Sequence, residues 1–276
     1  MKNKKKNPYN LPSTRAQLFF DVIKQRWRTL ILIGLILFLF ALPMIACLFL
    51  RDYFVGVALL NEEDPTLGLA LIYCGFSLCI LILAIGISGV SKIYLHLSYE
   101  EGFDFKEDFK IGVKQNIKTN IIATLIYAII LYMVLFINIS VSSPFIKYAP
   151  LGMCQGIVFP ILMVIIASNS IYDWKFKDSL RNGGIIYIRY FLFILIFSFL
   201  LFGLYLLLLL RLNIILKYAI FAVVFIIIEP FIILGFVIFM NHCFDEGINK
   251  NNYPTLYRKG LFKAKQEIFP ENLTKN

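Results

Sequence analysis

The sequence predicts an all-α, polytopic integral membrane protein with six transmembrane helices, and three observations carry that prediction. Of 276 residues, 59% are hydrophobic and only 16% charged, with a mean hydropathy of +0.78; soluble domains carry about 25% charged residues. The apolar residues gather into six runs near the length of roughly 20 residues that a helix needs to cross a bilayer with all its backbone groups satisfied internally. Lysine and arginine fall mainly on alternate sides of those runs.

The first element is a basic N-terminal segment, residues 1–29. "MKNKKKN" stands too far from the first apolar run to be a secretory leader, and no small-residue cleavage site follows that run, so the first span is expected to stay as an anchor. In "STRAQLFFDVIKQRWR", Thr14 and Gln17 have capping-box spacing. Leu18, Phe19, Val22, Ile23 and Trp27 share one helical face, which suits the membrane interface and leaves Lys24 and Arg28 to meet headgroups. The first span, Leu30–Leu50, carries Pro43; an external connection over 51–66 contains "NEEDP"; the second span is Leu67–Ser91. There Ala84, Gly86, Ser88 and Gly89 allow close helix approach.

"FDFKEDFKIGVKQNIK" is the strongest amphipathic segment. Phe105, Phe109, Val113 and Ile117 recur every fourth residue, as do Lys106, Lys110, Lys114 and Lys118, so two stripes run side by side. The third span is Asn120–Val141 and the fourth Ala149–Ser168, with Pro160 inside it. A shorter amphipathic segment, "IYDWKFKDSLRN", precedes the fifth span, Ile185–Leu210, and the sixth is Leu216–Met240. The chain thus reads as three transmembrane hairpins, each preceded by an amphipathic elbow helix. "VIKQRWRTLILIG", "GVKQNIKTNIIAT" and "FKDSLRNGGIIYI" align as a weak threefold repeat, or as junctions of convergent chemistry. Three units follow: a basic N-terminus (1–29), a six-helix domain (30–240) and a basic tail (241–276).

Segments 1–29, 92–119, 169–184 and 241–276 hold 22 of the 27 Lys and Arg residues, against four on the other side of the spans. Cytoplasmic loops carry that excess, so both termini and the elbows are expected on the cytoplasmic side of the membrane. The net charge of +10 flanks spans, which points to anionic lipid headgroups rather than nucleic acid. Five cysteines show no disulfide or metal spacing. Phosphate loops, zinc-binding helices and nucleophile elbows are missing, so the chain reads as non-enzymatic, without cofactor or metal. The acidic clusters 61–65 and 99–108 read as solvated loop ends.

Glu229 is the one ionisable residue placed at the centre of a span, in "IIIEPF". A charge there costs upward of about 2.5 kcal/mol, so a partner or a function is required. Pro230 frees the Ile226 carbonyl and is expected to kink the helix. Two readings stand. A protonated Glu229 donates a hydrogen bond to an acceptor such as Gln155 and holds helices together, or it is a midplane proton or cation site.

"ALPMI", "EEGFDFKEDFKIGVKQNIK" and "VFPILMVIIASNSIYDWKFKDSLRNGGIIYIRYFLF" resemble the YesL-like family of bacterial six-span membrane proteins, over roughly residues 15–210. That resemblance implies an accessory or partner of carbohydrate ABC-type importers, with importer subunits as partners, and supplies no catalytic or binding residues. The coupling loop of importer permeases is not found, so the chain does not read as a permease subunit. The leading expectation is therefore a non-enzymatic accessory of a transport system that meets its partner through its helices and lysine-striped elbow. The alternative is a transporter or channel in its own right, using Glu229.

Overall fold

Apolar runs of this length fold as helices because a helix satisfies every backbone N–H and C=O within the segment. In the computed structural model, described over residues 11–61, 64–172, 174–209 and 212–262, every long element is helical. The basic run 1–10, two acidic-loop residues (62 and 63), Asp173, Leu210, Arg211 and residues 263–276 lie outside the described residues. The helices are α1 (Arg15–Asn61), α2 (Thr66–Ser98), α3 (Phe105–Ser140), α4 (Pro144–Met153), α5 (Phe159–Ile171), α6 (Phe176–Arg189), α7 (Phe191–Gly203), α8 (Ile214–Phe244) and the short α9 (Lys250–Asn252). A π-helical turn, Cys154–Val158, joins α4 to α5, and a 3₁₀ stretch, Leu204–Leu209, extends α7. Among the described residues, five helices are long and apolar enough to cross a membrane, and a sixth is added if α6 and α7 form one bent span.

The first amphipathic segment is an elbow. Thr14 Oγ1 accepts from the Gln17 N–H at 3.1 Å, while the Gln17 side chain reaches back to the N–H of Ser13 at 3.1 Å, one residue before the reciprocal partner expected. Arg26 then leaves helical geometry (φ −124°, ψ 20°) and separates elbow from span. Contrary to the expected connection over 51–66, α1 continues to Asn61, because "RDYFVGVALLN" holds no breaker before Pro65.

The second segment is not an elbow. α3 runs unbroken from Phe105 to Ser140, 36 residues or about 54 Å at 1.5 Å per residue. Asp104 caps it by accepting from the Glu107 N–H at 2.9 Å, and Asp108 accepts from the Asp104 N–H at 3.0 Å, so these carboxylates are structural rather than loose loop charges. The helix lies flush on α2, where a Cβ at Gly112 would stand 2.6 Å from the Gly89 carbonyl oxygen and 2.8 Å from that of Ser88. That packing face begins inside the supposed elbow, and a bend there would break it.

The third segment is an elbow of a sharper kind. α6 meets α7 at 100°, with Tyr190 non-helical between them (φ −118°, ψ 25°). The run expected as the fifth span, from Ile185, is therefore broken at Tyr190, and α7, from Phe191, reaches spanning length only together with α6 as one bent pair. Ser179, Gly183, Ile186 and Tyr187 of α6 are buried on one face, and this face packs on α5; an axis fixed against α5 cannot continue into a crossing helix.

Two ends of the bundle are defined by contacts. At the basic end, Arg15 reaches Asp245 at 2.7 Å, Asn241 donates to Ser98 at 2.8 Å, Tyr172 donates to Asn249 at 2.6 Å and the Phe262 N–H donates to the Pro12 carbonyl at 2.9 Å. At the far end Asp52 pairs with Arg51 at 2.6 Å and with Lys217, and Asn138 donates to the Lys147 carbonyl at 3.2 Å. Residues 241–262 accordingly form part of the folded bundle, with Phe244 and Leu261 buried in its apolar core.

Candidate functional site: an intramembrane cavity around Glu229

α1, α2, α3, α5, the α7 extension and α8 enclose a cavity of about 710 Å³. On α2 its wall is Tyr73, Phe76, Ile80, Leu83, Ile87, Val90 and Tyr94, a stripe at alternating three- and four-residue spacing that keeps one face turned inward. From Tyr73 to Tyr94 the rise is about 31 Å, and from Tyr148 to Ser170 along α4–α5 about 33 Å, close to the roughly 30 Å of a bilayer's hydrocarbon core. The space is long and thin. Arg51, Tyr73, Asn138 and Tyr148 line it toward the far end, and Ser91, Tyr94 and Ser170 toward the basic end.

Glu229 stands on this wall, at the midpoint of α8 by its bounds. Its Oε2 is buried without a hydrogen-bond partner. Gln155 lines the same cavity but donates to the Tyr127 hydroxyl at 3.3 Å, and no hydrogen bond joins it to Glu229 in this structure. Thr124 Oγ1, also on the wall, is likewise buried and unpartnered. Tyr94 and Tyr205 share the wall with Glu229, and the Tyr94 hydroxyl donates to the Pro230 carbonyl at 3.1 Å.

Prolines shape the surroundings through the carbonyls they free. α8 continues as one helix through Pro230, and the Ile226 oxygen that has lost its donor abuts Gly34 of α1, whose missing Cβ makes the room. The close approach is of the Cα–H···O kind. Pro160 acts in the same way on Gly156, whose carbonyl accepts from the Tyr187 hydroxyl at 2.5 Å. The adjacent Gln155 carbonyl accepts from Ser198 at 3.2 Å, so α6 and α7 are tied to the irregular turn.

Below the cavity lies a polar network that the sequence reading passed over. Asn116 donates to Ser91 Oγ at 2.9 Å, Asn120 donates to Ser88 Oγ at 2.9 Å, and Asn169 donates to Asn120 Oδ1 at 3.1 Å and the Asn116 carbonyl at 3.0 Å. These residues are buried and join α2, α3 and α5. The striped lysines lie elsewhere: Lys106, Lys110, Lys114 and Lys118 are exposed and make no ion pair with another described residue, while Phe109 covers Gly89 and stacks on Phe40 at 6.2 Å.

Among the described residues no cluster of metal-ligating side chains is assembled. The thiols of Cys47 and Cys79 are 3.9 Å apart, and all five cysteines are free. Outside the spans, burial raises the Tyr172 hydroxyl's pKa, which keeps it a donor to Asn249. No family model matches the chain, and no curated protein or solved structure matches it either, so its likeness to the YesL-like proteins rests on the quoted residues alone.

Proposed function

We propose that this chain is a membrane transport protein of the bacterial plasma membrane, with both termini cytoplasmic, whose long cavity is the substrate path and whose Glu229 is the polar station at its middle. One observation carries the reading: a thin cavity as long as a bilayer core, holding a single buried carboxyl with a free oxygen. A carboxyl serving only as interhelical glue is satisfied by the helices it joins, and Glu229 is not. Intramembrane ionisable groups facing a cavity mark substrate and ion pathways.

Cysteine accessibility tests the path without knowledge of the substrate. In a variant lacking the five native cysteines, Thr124→Cys and Leu131→Cys are expected to react with a small water-soluble thiol reagent, and Ile129→Cys, exposed on the outer surface of α3, is expected to resist it in lipid. Equal resistance at all three positions would sink the path.

The exposed, unpaired lysines of α3 favour a second, compatible role. They offer one face to anionic headgroups or to an acidic partner, and the YesL-like resemblance makes a carbohydrate ABC-type importer subunit the partner to look for. Replacing all four by glutamine is expected to abolish co-purification of such a subunit in mild detergent. Recovery of the native chain alone would count against that role.

A further inference from the structure

We infer that the ligand of the cavity is an elongated amphiphile carrying one positive charge, such as a protonated alkylamine or a quaternary ammonium, held with its cationic group at Glu229. The inference rests on the cavity being a substrate path and adds the chemical class of its ligand.

Charge comes first. An ionised carboxylate removed from water needs a counter-charge, and among the described residues none supplies it at Glu229. The other charged residue on the wall is Arg51, at the far end, where both its Nε and Nη2 donate to Asp52 at 2.9 and 2.6 Å. Lys217, beside it, shares the same carboxylate. A cationic ligand therefore provides the missing partner, and an anionic one meets an acidic group with no basic neighbour to offset it.

Ring faces come next. Tyr94, whose hydroxyl donates to the carbonyl of Pro230 next to Glu229, and Tyr205 line the wall together with Tyr127, Phe159 and Phe236. Aromatic faces attract cations through their quadrupole, most strongly where water is excluded, and cages of such rings are a recurrent receptor for quaternary ammonium groups. Leu83, Ile87, Leu131, Leu162 and Ile233 run along the length of the wall, which suits a hydrocarbon tail.

The same inventory argues against other classes. A sugar needs many directional polar contacts gathered at one place, and here the polar side chains are spread over a long wall. Hard cations such as calcium or magnesium take several oxygen ligands at once, and one carboxyl with scattered phenols does not provide them.

The test uses the full chain in nanodiscs, with octyltrimethylammonium and its uncharged analogue, in which carbon replaces nitrogen, as the probes; binding is read calorimetrically after subtraction of empty nanodiscs. Octyltrimethylammonium is expected to bind saturably and at least tenfold tighter than the analogue. Glu229→Gln should lose that preference, and Phe236→Leu, which keeps the carboxyl, should weaken binding severalfold. If Glu229→Gln does not yield monodisperse protein, Phe236→Leu and the probe pair still decide. Equal binding of both probes, or a preference that survives Glu229→Gln, overturns the cationic class, as does failure of octyltrimethylammonium to bind saturably. If the thiol reagent still enters at Thr124→Cys and Leu131→Cys in any of these cases, the path stands with a different ligand; if it does not, the path falls too.

Discussion

At the scale of single residues, Gly34 sets how closely α1 and α8 meet. A Cβ there would collide with the Ile226 carbonyl and stand 2.7 Å from Pro230 Cγ. Gly34→Ala is expected to destabilise the protein by about 1–3 kcal/mol, the usual cost of overpacking, read as a lower melting temperature in detergent, whereas Gly56→Ala, with nothing within 4 Å of the new methyl, leaves it unchanged. Glu229 was legible in the sequence because a charge at mid-span has no neutral explanation. Its neighbours were not. A tyrosine in a membrane helix reads as packing, and nothing in one chain tells that Tyr94, Tyr127 and Tyr205 face one space. Asn116 and Asn120 were hidden for the opposite reason: in "KQNIKTN" the first stands between Lys114 and Lys118 and the second just after Lys118, where polar residues read as surface.

At the scale of elements, α2 and α3 pack closely through Gly89, Ser88 and Gly112, and the asparagine network sits on the same seam. Asn120→Leu removes both the donor to Ser88 and the acceptor for Asn169. Interhelical hydrogen bonds in membranes are worth about 0.6–1.7 kcal/mol each, so a loss of about 1–3 kcal/mol is expected from detergent unfolding. Asn120→Asp retains the acceptor for Asn169 and is expected to lose less. The all-helical class and the long apolar helices were readable because composition and run length decide them. Helix continuity was not, since a lysine stripe has the same period whether the helix bends into a span or runs straight, and only the small residues of the facing helix made α3 straight. The α6–α7 corner has its cause in Gly183 and Tyr187 packing on α5, again a partner unseen in the local sequence.

At the scale of the whole molecule, the basic end is closed by one buried ion pair. Arg15 and Asp245 side chains are 11% and 5% exposed; Arg15 also donates to the Lys259 carbonyl at 3.1 Å, and Asp245 accepts from Asn249 and from the Arg258 N–H at 3.0 and 3.1 Å. Gly260, at φ +81° and with its missing Cβ space filled by the Ser98 carbonyl and Tyr99, turns the chain back across this end. Removing one partner of a buried pair costs about 3–5 kcal/mol, so Asp245→Ala is expected to lower the melting temperature markedly and to speed tryptic cleavage near Arg258 and Lys259. Unchanged cleavage would show that the segment is held by other contacts. The pair also orders events during synthesis, because its members are 230 residues apart. The N-terminal elbow is made long before its acidic partner, and the bare groove at Gly34 likewise precedes Pro230 by most of the chain. Domains assemble from the N-terminus during translation, but here the first helix is among the last to be locked, and a chain released before Asp245 would keep its opening helix permanently unlatched.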